Sequence, residues 1–295
     1  MKLNGIDTLS GYIDKKNIAK TDFNSHTANV RQCNYKTDKE RTYLLINPNK
    51  RGENDEKLIT RYSDFVNKMN EILGEVGLSK DDMDIIRADF CFNSDDEQTF
   101  DNYQKLHRLI ISCLAKAYAY KNCYVSTSLF DFSRLSVAIK KDDSEIENYN
   151  KKAESEGKDE SKNRLELRSK RMSGTSLEYQ FMEKWFERLD KAKECFWKTQ
   201  LEYNKHLEKL YKDDLKRDKK NRNYISLTAF LVQYKECIFT RKQMIDLLTR
   251  FPEVKTPENR ADRFKEKHSI EYFSKKDLDV IIGVLKKKTA EYFNS

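Results

Sequence analysis

Residues 163–171 read NRLELRSKR, and their alternation decides what kind of element they form. Leu165 and Leu167 share one parity. Arg164, Glu166, Arg168 and Lys170 share the other, which is the period of a strand with one buried face. A single carboxylate therefore sits in a row of cations. It is either a neutralising partner for its neighbours, as cross-strand ion pairs commonly are, or a ligand for a hard cation on a surface built for phosphates.

Working outward, three more strands precede this one without a helix between them: NCYVSTSLF (122–130), RLSVAIKK (134–141) and EIENYNKK (145–152). The stretches DFS and DDS are the expected turns. The polar run AESEGKDESKN (153–163) reads as an exposed loop before the last strand. Further back, MDIIRADFCF (83–92) and RTYLLINPNK (41–50) read as strands, the second ended by Asn47-Pro48. Helices are expected over about 56–76, with Leu58, Tyr62, Phe65, Met69, Ile72 and Leu73 apolar and Gly77 closing, and over Phe100–Tyr120. Residues 1–172 thus form an α+β unit, an antiparallel sheet with packed helices.

Ser173-Gly174-Thr175-Ser176 breaks the pattern. A stripe from Leu177 through Phe181, Trp185, Leu189, Ala192, Phe196, Tyr203 and Leu207 to Leu210 then predicts a long amphipathic helix over 173–220 that completes the first unit. Residues 221–295 read as a helical C-terminal domain. Thr240 with Gln243 and Ser274 with Asp277 resemble capping-box helix starts there. The segments FTRKQMIDLLTRF and NRADRFKEKHS are a candidate helix-turn-helix pair or a packing bundle.

Composition narrows the function. The chain has 295 residues, 38% hydrophobic and 36% charged, with a formal net charge of +8, which suits a polyanionic partner. Aromatic content of 12% argues against a disordered chain. Eight Gly and three Pro leave little room for phosphate-cradling loops, and neither Gly-x-Gly-x-x-Gly nor Gly-x-x-x-x-Gly-Lys-[Ser/Thr] occurs. The six cysteines are scattered without a C-x-x-C; Cys91, Cys113 and Cys123 lie in apolar patterns and read as buried thiols. A structural zinc site is not expected. With no apolar leader and no apolar run of membrane-spanning length, the expectation is a soluble, cytoplasmic protein without membrane association.

Two carboxylates lie mid-strand, a disfavoured position unless they are solvated, paired or ligating. Asp89 shares its face with Arg87 and Cys91, and Glu166 stands among the arginines of the opening stretch. Together they could hold a divalent cation; paired with Arg87, Arg164 or Arg168, they would be an ordinary polar face. Glu145, Glu147, Tyr149 and Lys151 share one face of their strand. Lys151, Arg164, Arg168, Lys170 and Arg171 form a basic patch suited to a nucleic-acid backbone, or simply a solvated one. Tyr203 and Tyr211 on the long helix are candidate nucleophiles toward phosphorus, or core tyrosines with the hydroxyl at the rim.

The order of these pieces resembles the rolling-circle replication initiators of Gram-positive plasmids and related phages. The resemblance rests on a strand with a mid-strand Asp (IIRADF), a helix, hairpin strands, then I-x-x-Y-N-K and R-L-E-L-R, and covers roughly residues 40–172. It implies a divergent nicking domain of the HUH-endonuclease type, with an HUH/RRM-like sheet. Such proteins bind origin DNA and cut one strand through a metal-dependent tyrosine attack, leaving a 5′-phosphotyrosine link and a 3′-hydroxyl primer. Carried over, Asp89 and Glu166 would ligate Mg²⁺ or Mn²⁺, a carboxylate-led site in the absence of a His-hydrophobic-His motif. Lys151, Arg164, Arg168, Lys170 and Arg171 would contact DNA, and Tyr203 or Tyr211 would be the nucleophile. The implied partners are single-stranded or hairpin origin DNA, a host helicase and a second copy of the chain. The alternative is a non-catalytic DNA-binding replication or regulatory protein of a mobile element with the same fold.

Overall fold

The computed structural model describes residues 3–17, 30–32, 39–50, 57–94, 100–118, 124–125, 136–154, 163–221 and 226–295. The strands are β1 (Leu3–Asp14), β2 (Val30–Gln32), β3 (Arg41–Ile46), β4 (Met83–Ser94), β5 (Tyr124–Val125), β6 (Ser136–Lys140), β7 (Ser144–Tyr149) and β8 (Asn163–Lys170). They form one antiparallel sheet in the order β2-β3-β1-β4-β8-β7-β6-β5. Six longer strands make its body, and its two edge strands are very short, which limits exposed ladder groups. The DFS turn, most of AESEGKDESKN, and Cys123 lie outside the described residues.

The centre of the sheet holds a strand that the sequence pattern does not announce. β1 lies between β3 and β4, and its register slips at Ile6/Thr8 and again at Ser10/Gly11. Each bulge resets the alternation, so its apolar residues Ile6, Leu9 and Ile13 never form a period-two row. Two glycines let its neighbours approach. A Cβ on Gly5 would stand 2.2 Å from the Ile59 carbonyl oxygen, and one on Gly11 would stand 2.3 Å from that of Asp84.

All the larger helices lie on one side. Helices α1 (Tyr62–Gly74) and α2 (Phe100–Ala117) carry the chain from β3 to β4 and from β4 to the far edge; α3 (Lys151–Glu154) is a single turn. The expected long helix is instead three pieces: a π-helical turn over Tyr179–Lys184, α4 (Trp185–Glu194) and α5 (Phe196–Asn221). The interruption is at Cys195, whose backbone sits at φ −90°, ψ 0° and whose N–H is shared between the Ala192 and Lys193 carbonyls. The apolar stripe continues across this joint, which is why spacing alone reads it as one helix. On α4, Trp185 donates its indole N–H to Ser169 Oγ of β8 at 2.9 Å, keying the helix to the sheet.

Helices α6 (Leu227–Gln233), α7 (Arg241–Thr249), α8 (Pro257–His268) and α9 (Lys275–Phe293) follow. Thr240 caps α7, and Ser274 with Asp277 forms a reciprocal capping box on α9. Helix α9 returns to the sheet: the Tyr292 ring meets Phe90 of β4 at 5.2 Å and Tyr62 of α1 at 6.0 Å. The buried side chains of the sheet and of the C-terminal helices form one continuous core.

Candidate functional site

Period-two alternation gives the sheet two unlike faces. Leu9, Ala88, Phe90, Phe92, Ile146, Leu165 and Leu167 point at the helices and are buried. The intervening residues point the other way, and register brings them side by side: Asp89 opposite Arg168, Cys91 opposite Glu166, Glu166 opposite Glu147, and Glu145 opposite Arg168. Four carboxylates from three strands therefore surround one guanidinium.

Arg168 is the hub. Its Nε lies 2.7 Å from Glu166 Oε1 and 3.5 Å from Asp89 Oδ2, while its two terminal nitrogens reach Glu145 at 2.6 Å and Glu147 at 3.0 Å. Asp89 is also gripped by Arg87, whose Nε and terminal nitrogen donate at 2.9 Å and 2.6 Å. Lys170 and Lys140 hold Glu145 at 2.7 Å and 3.1 Å. At one end Arg164 donates to Asn93 at 2.8 Å and to Asp7 at 3.1 Å. Asp89, Glu166 and Arg164 are each only 2% exposed, so these charges are screened mainly by one another.

The shared environment pushes the two carboxylates apart in acidity. Burial raises Asp89 to about 6, against the hydrogen bond from Arg87, and the nearby Glu166 charge adds to the rise. Burial would raise Glu166 too, but the charge and hydrogen bond of Arg168 and the hydroxyl of Tyr149 hold it below the usual carboxylate range. Tyr149 donates to Glu166 Oε2 at 2.8 Å; burial and that carboxylate push its phenol well above the ordinary tyrosine value.

The residues singled out in the sequence separate into three groups. Asp89, Glu166, Arg164, Arg168 and Lys170 meet on the charged face. Lys151 lies just beyond β7 and pairs with Glu154 at 2.8 Å, and Arg171 is largely exposed at a positive φ of 58°. Tyr203 and Tyr211 do not join the carboxylates, a correction to the expected nucleophiles. Tyr203 is 3% exposed within the helical layer, its ring edge-on to Phe239 and its hydroxyl 2.8 Å from Ser112 Oγ. Ser112 spends its own proton on the Arg108 carbonyl, so Tyr203 is the donor in that pair. Tyr211 packs against Phe230 and Phe251 at 5.0 Å and 5.1 Å. Both occupy the helix-covered side of the sheet, opposite Asp89 and Glu166. The tyrosine beside the carboxylates is Tyr149. The signal for it is its parity with Glu145 and Glu147 in EIENYNKK.

The resemblance implies a divalent cation held by Asp89 and Glu166. Asp89 and Glu166 supply hard oxygens, but each is already taken by a guanidinium, and Arg168 Nε stands between them. Among the described residues no group of three or more His, Cys, Asp or Glu side chains is arranged to hold a metal ion. The site as folded does not fit a resident metal, because an ion would have to displace Arg168.

A separate cleft of about 610 Å³ lies at the other end of β1 and β4, lined by Tyr12, Arg41, Tyr62, Lys80, Asp84 and Thr175 among others. None of the candidate metal, DNA-contacting or nucleophilic residues lines it. Cys91 and Cys113 are buried free thiols, and no helix among the described residues is long and apolar enough to cross a membrane. No protein-family model, no curated protein and no solved structure matches the chain.

Proposed function

We propose that the chain is a DNA-binding replication initiator of a plasmid or phage that cuts one strand of its origin by tyrosine attack, with Tyr149 as the nucleophile. The observation that supports this reading is the 2.8 Å hydrogen bond from Tyr149 to Glu166 on a sheet face that also carries Asp89 and Arg168. In the step proposed, the Tyr149 oxygen bonds to phosphorus and its proton passes to Glu166. The bond from phosphorus to the 3′-oxygen breaks, and that oxygen leaves as the 3′-hydroxyl, taking the proton that Glu166 received from Tyr149. The phosphate stays on Tyr149 as a 5′-phosphotyrosine. Arg164, directly across from Tyr149, and Arg168, which holds Glu166, oppose the charge that develops on the phosphoryl oxygens.

The test is an SDS-resistant adduct with single-stranded oligonucleotides tiling the chain's own replicon, run in Mg²⁺, in Mn²⁺ and with chelator. The expected adduct maps to Tyr149, is lost in Tyr149→Phe and persists in a Tyr203→Phe, Tyr211→Phe double variant. An adduct on Tyr203 or Tyr211 would sink the assignment. The closed ion-pair network, with Tyr149 only 8% exposed, favours a second reading, a DNA-binding protein of the same fold that does not cut. That reading gives salt-dependent DNA binding without any adduct.

A further inference from the structure

Helix α5 turns two large apolar side chains to solvent on successive turns, Trp197 at 40% exposure and Leu201 at 45%. Lys205 and Lys209 continue the same row, and Lys198 flanks it, all exposed. From α7, Lys242 stands over the indole with Nζ 4.4 Å from the ring centre. None of these four lysines has a carboxylate within ion-pair distance among the described residues. Of the acids beside them, Glu202 pairs with Lys116, Glu208 with Lys212 and Arg250, and Asp246 with Arg250, while Glu194 stands one turn before Lys198. The result is an aromatic platform beside several ammonium groups that lack a carboxylate partner among the described residues, built on the side of α5 away from the buried Tyr203 and Leu207.

We infer that this surface binds an unpaired stretch of nucleic acid, with a base stacked on Trp197 and phosphates held by Lys198, Lys205, Lys209 and Lys242. Every base has a flat π-face, and a stacking aromatic beside lysines is the chemistry that takes single strands without reading their sequence. A lipid surface fits less well, because two apolar side chains do not make the wide apolar face that interfacial helices bury. A protein partner fits less well too, because lysine is depleted from protein–protein interface cores. The inference shares a nucleic-acid partner with the proposed function but does not need the chemistry of the sheet face.

The chain contains two tryptophans, and Trp185 is 2% exposed, so a ligand-induced change in tryptophan emission reports Trp197. Titrating the full chain with oligo-dT should quench that emission saturably, with affinity falling as salt rises. Trp197→Ala should weaken binding about tenfold or more, read by fluorescence anisotropy of a labelled oligo-dT. Lys242→Ala, which leaves the indole in place, should weaken binding less and flatten the salt dependence. Heparin, a polyanion without bases, should compete without quenching. The inference is overturned if oligo-dT binds without touching the emission, if duplex DNA quenches as strongly, or if anionic phosphatidylserine vesicles quench and oligo-dT does not. Failure here leaves the Tyr149 adduct assay unaffected, so the two ideas fall separately.

Discussion

The two faces of the sheet come from alternate residues of the same strands, yet they are held by different physics. On the helix-covered face Phe90 meets the rings of Phe92, Phe181 and Tyr292, each contact adding burial with little dependence on the others. On the charged face no residue is stable alone. Arg168 is tolerable because of Glu166, Asp89 and Glu145, and they are tolerable because of Arg168. Deleting a member of the first face removes that member. Deleting a member of the second strands its partners.

The sharpest way to measure the apolar side is Phe90→Ala, expected to cost ~3–5 kcal/mol by urea unfolding and to do so equally at low and high salt. A cost that shrinks with salt would mean the charged face had been disturbed instead. A polar island in the apolar face gives the next largest effect. His107 of α2 is buried beside Asn148, and burial lowers it to about 4 despite a hydrogen bond with Asn163. Its folded value lies below the unfolded one, so its contribution is present above pH ~6.5 and is lost as pH falls through about 4. The displacement corresponds to ~3 kcal/mol across that window. His107→Gln should flatten the acid limb of a stability-against-pH curve, and an unchanged limb would assign acid sensitivity elsewhere. The smallest effect is expected at Arg168→Ala, ~3 kcal/mol, the low end for breaking a buried pair, because water reaches part of that side chain. Adding Glu166→Gln to Arg168→Ala should recover part of the loss in a double-mutant cycle, whereas strict additivity would show the two faces to be alike.

How much of this was legible depended on whether alternation survived. β8 and the Arg87–Phe90 stretch of β4 alternate in period two, and β7 alternates charged Glu145 and Glu147 with Ile146, so the face each residue takes follows from parity. In β1 the two bulges and two glycines scramble the parity, so the central strand was invisible. For the site, Asp89, Glu166 and Arg168 were readable as one face because strand parity fixes direction. The tyrosines failed for the opposite reason. An apolar helical stripe shows that Tyr203 is buried but not which of two layers buries it, and here α2 and the C-terminal segment do. Ion pairing was likewise readable only as an option, since the choice between ligand and partner depends on distances that spacing does not contain.

The aromatic cluster of Tyr62, Phe90, Tyr292 and Phe293 has a consequence for how the molecule assembles. It joins an early helix, a central strand and the final helix, contacts separated by some two hundred residues of chain. Such non-local closure is slow to nucleate. Until α9 arrives, part of the apolar face that it covers stays open. During synthesis the nascent sheet therefore carries an oily surface next to unpaired strand edges, the combination that invites misassociation and chaperone capture.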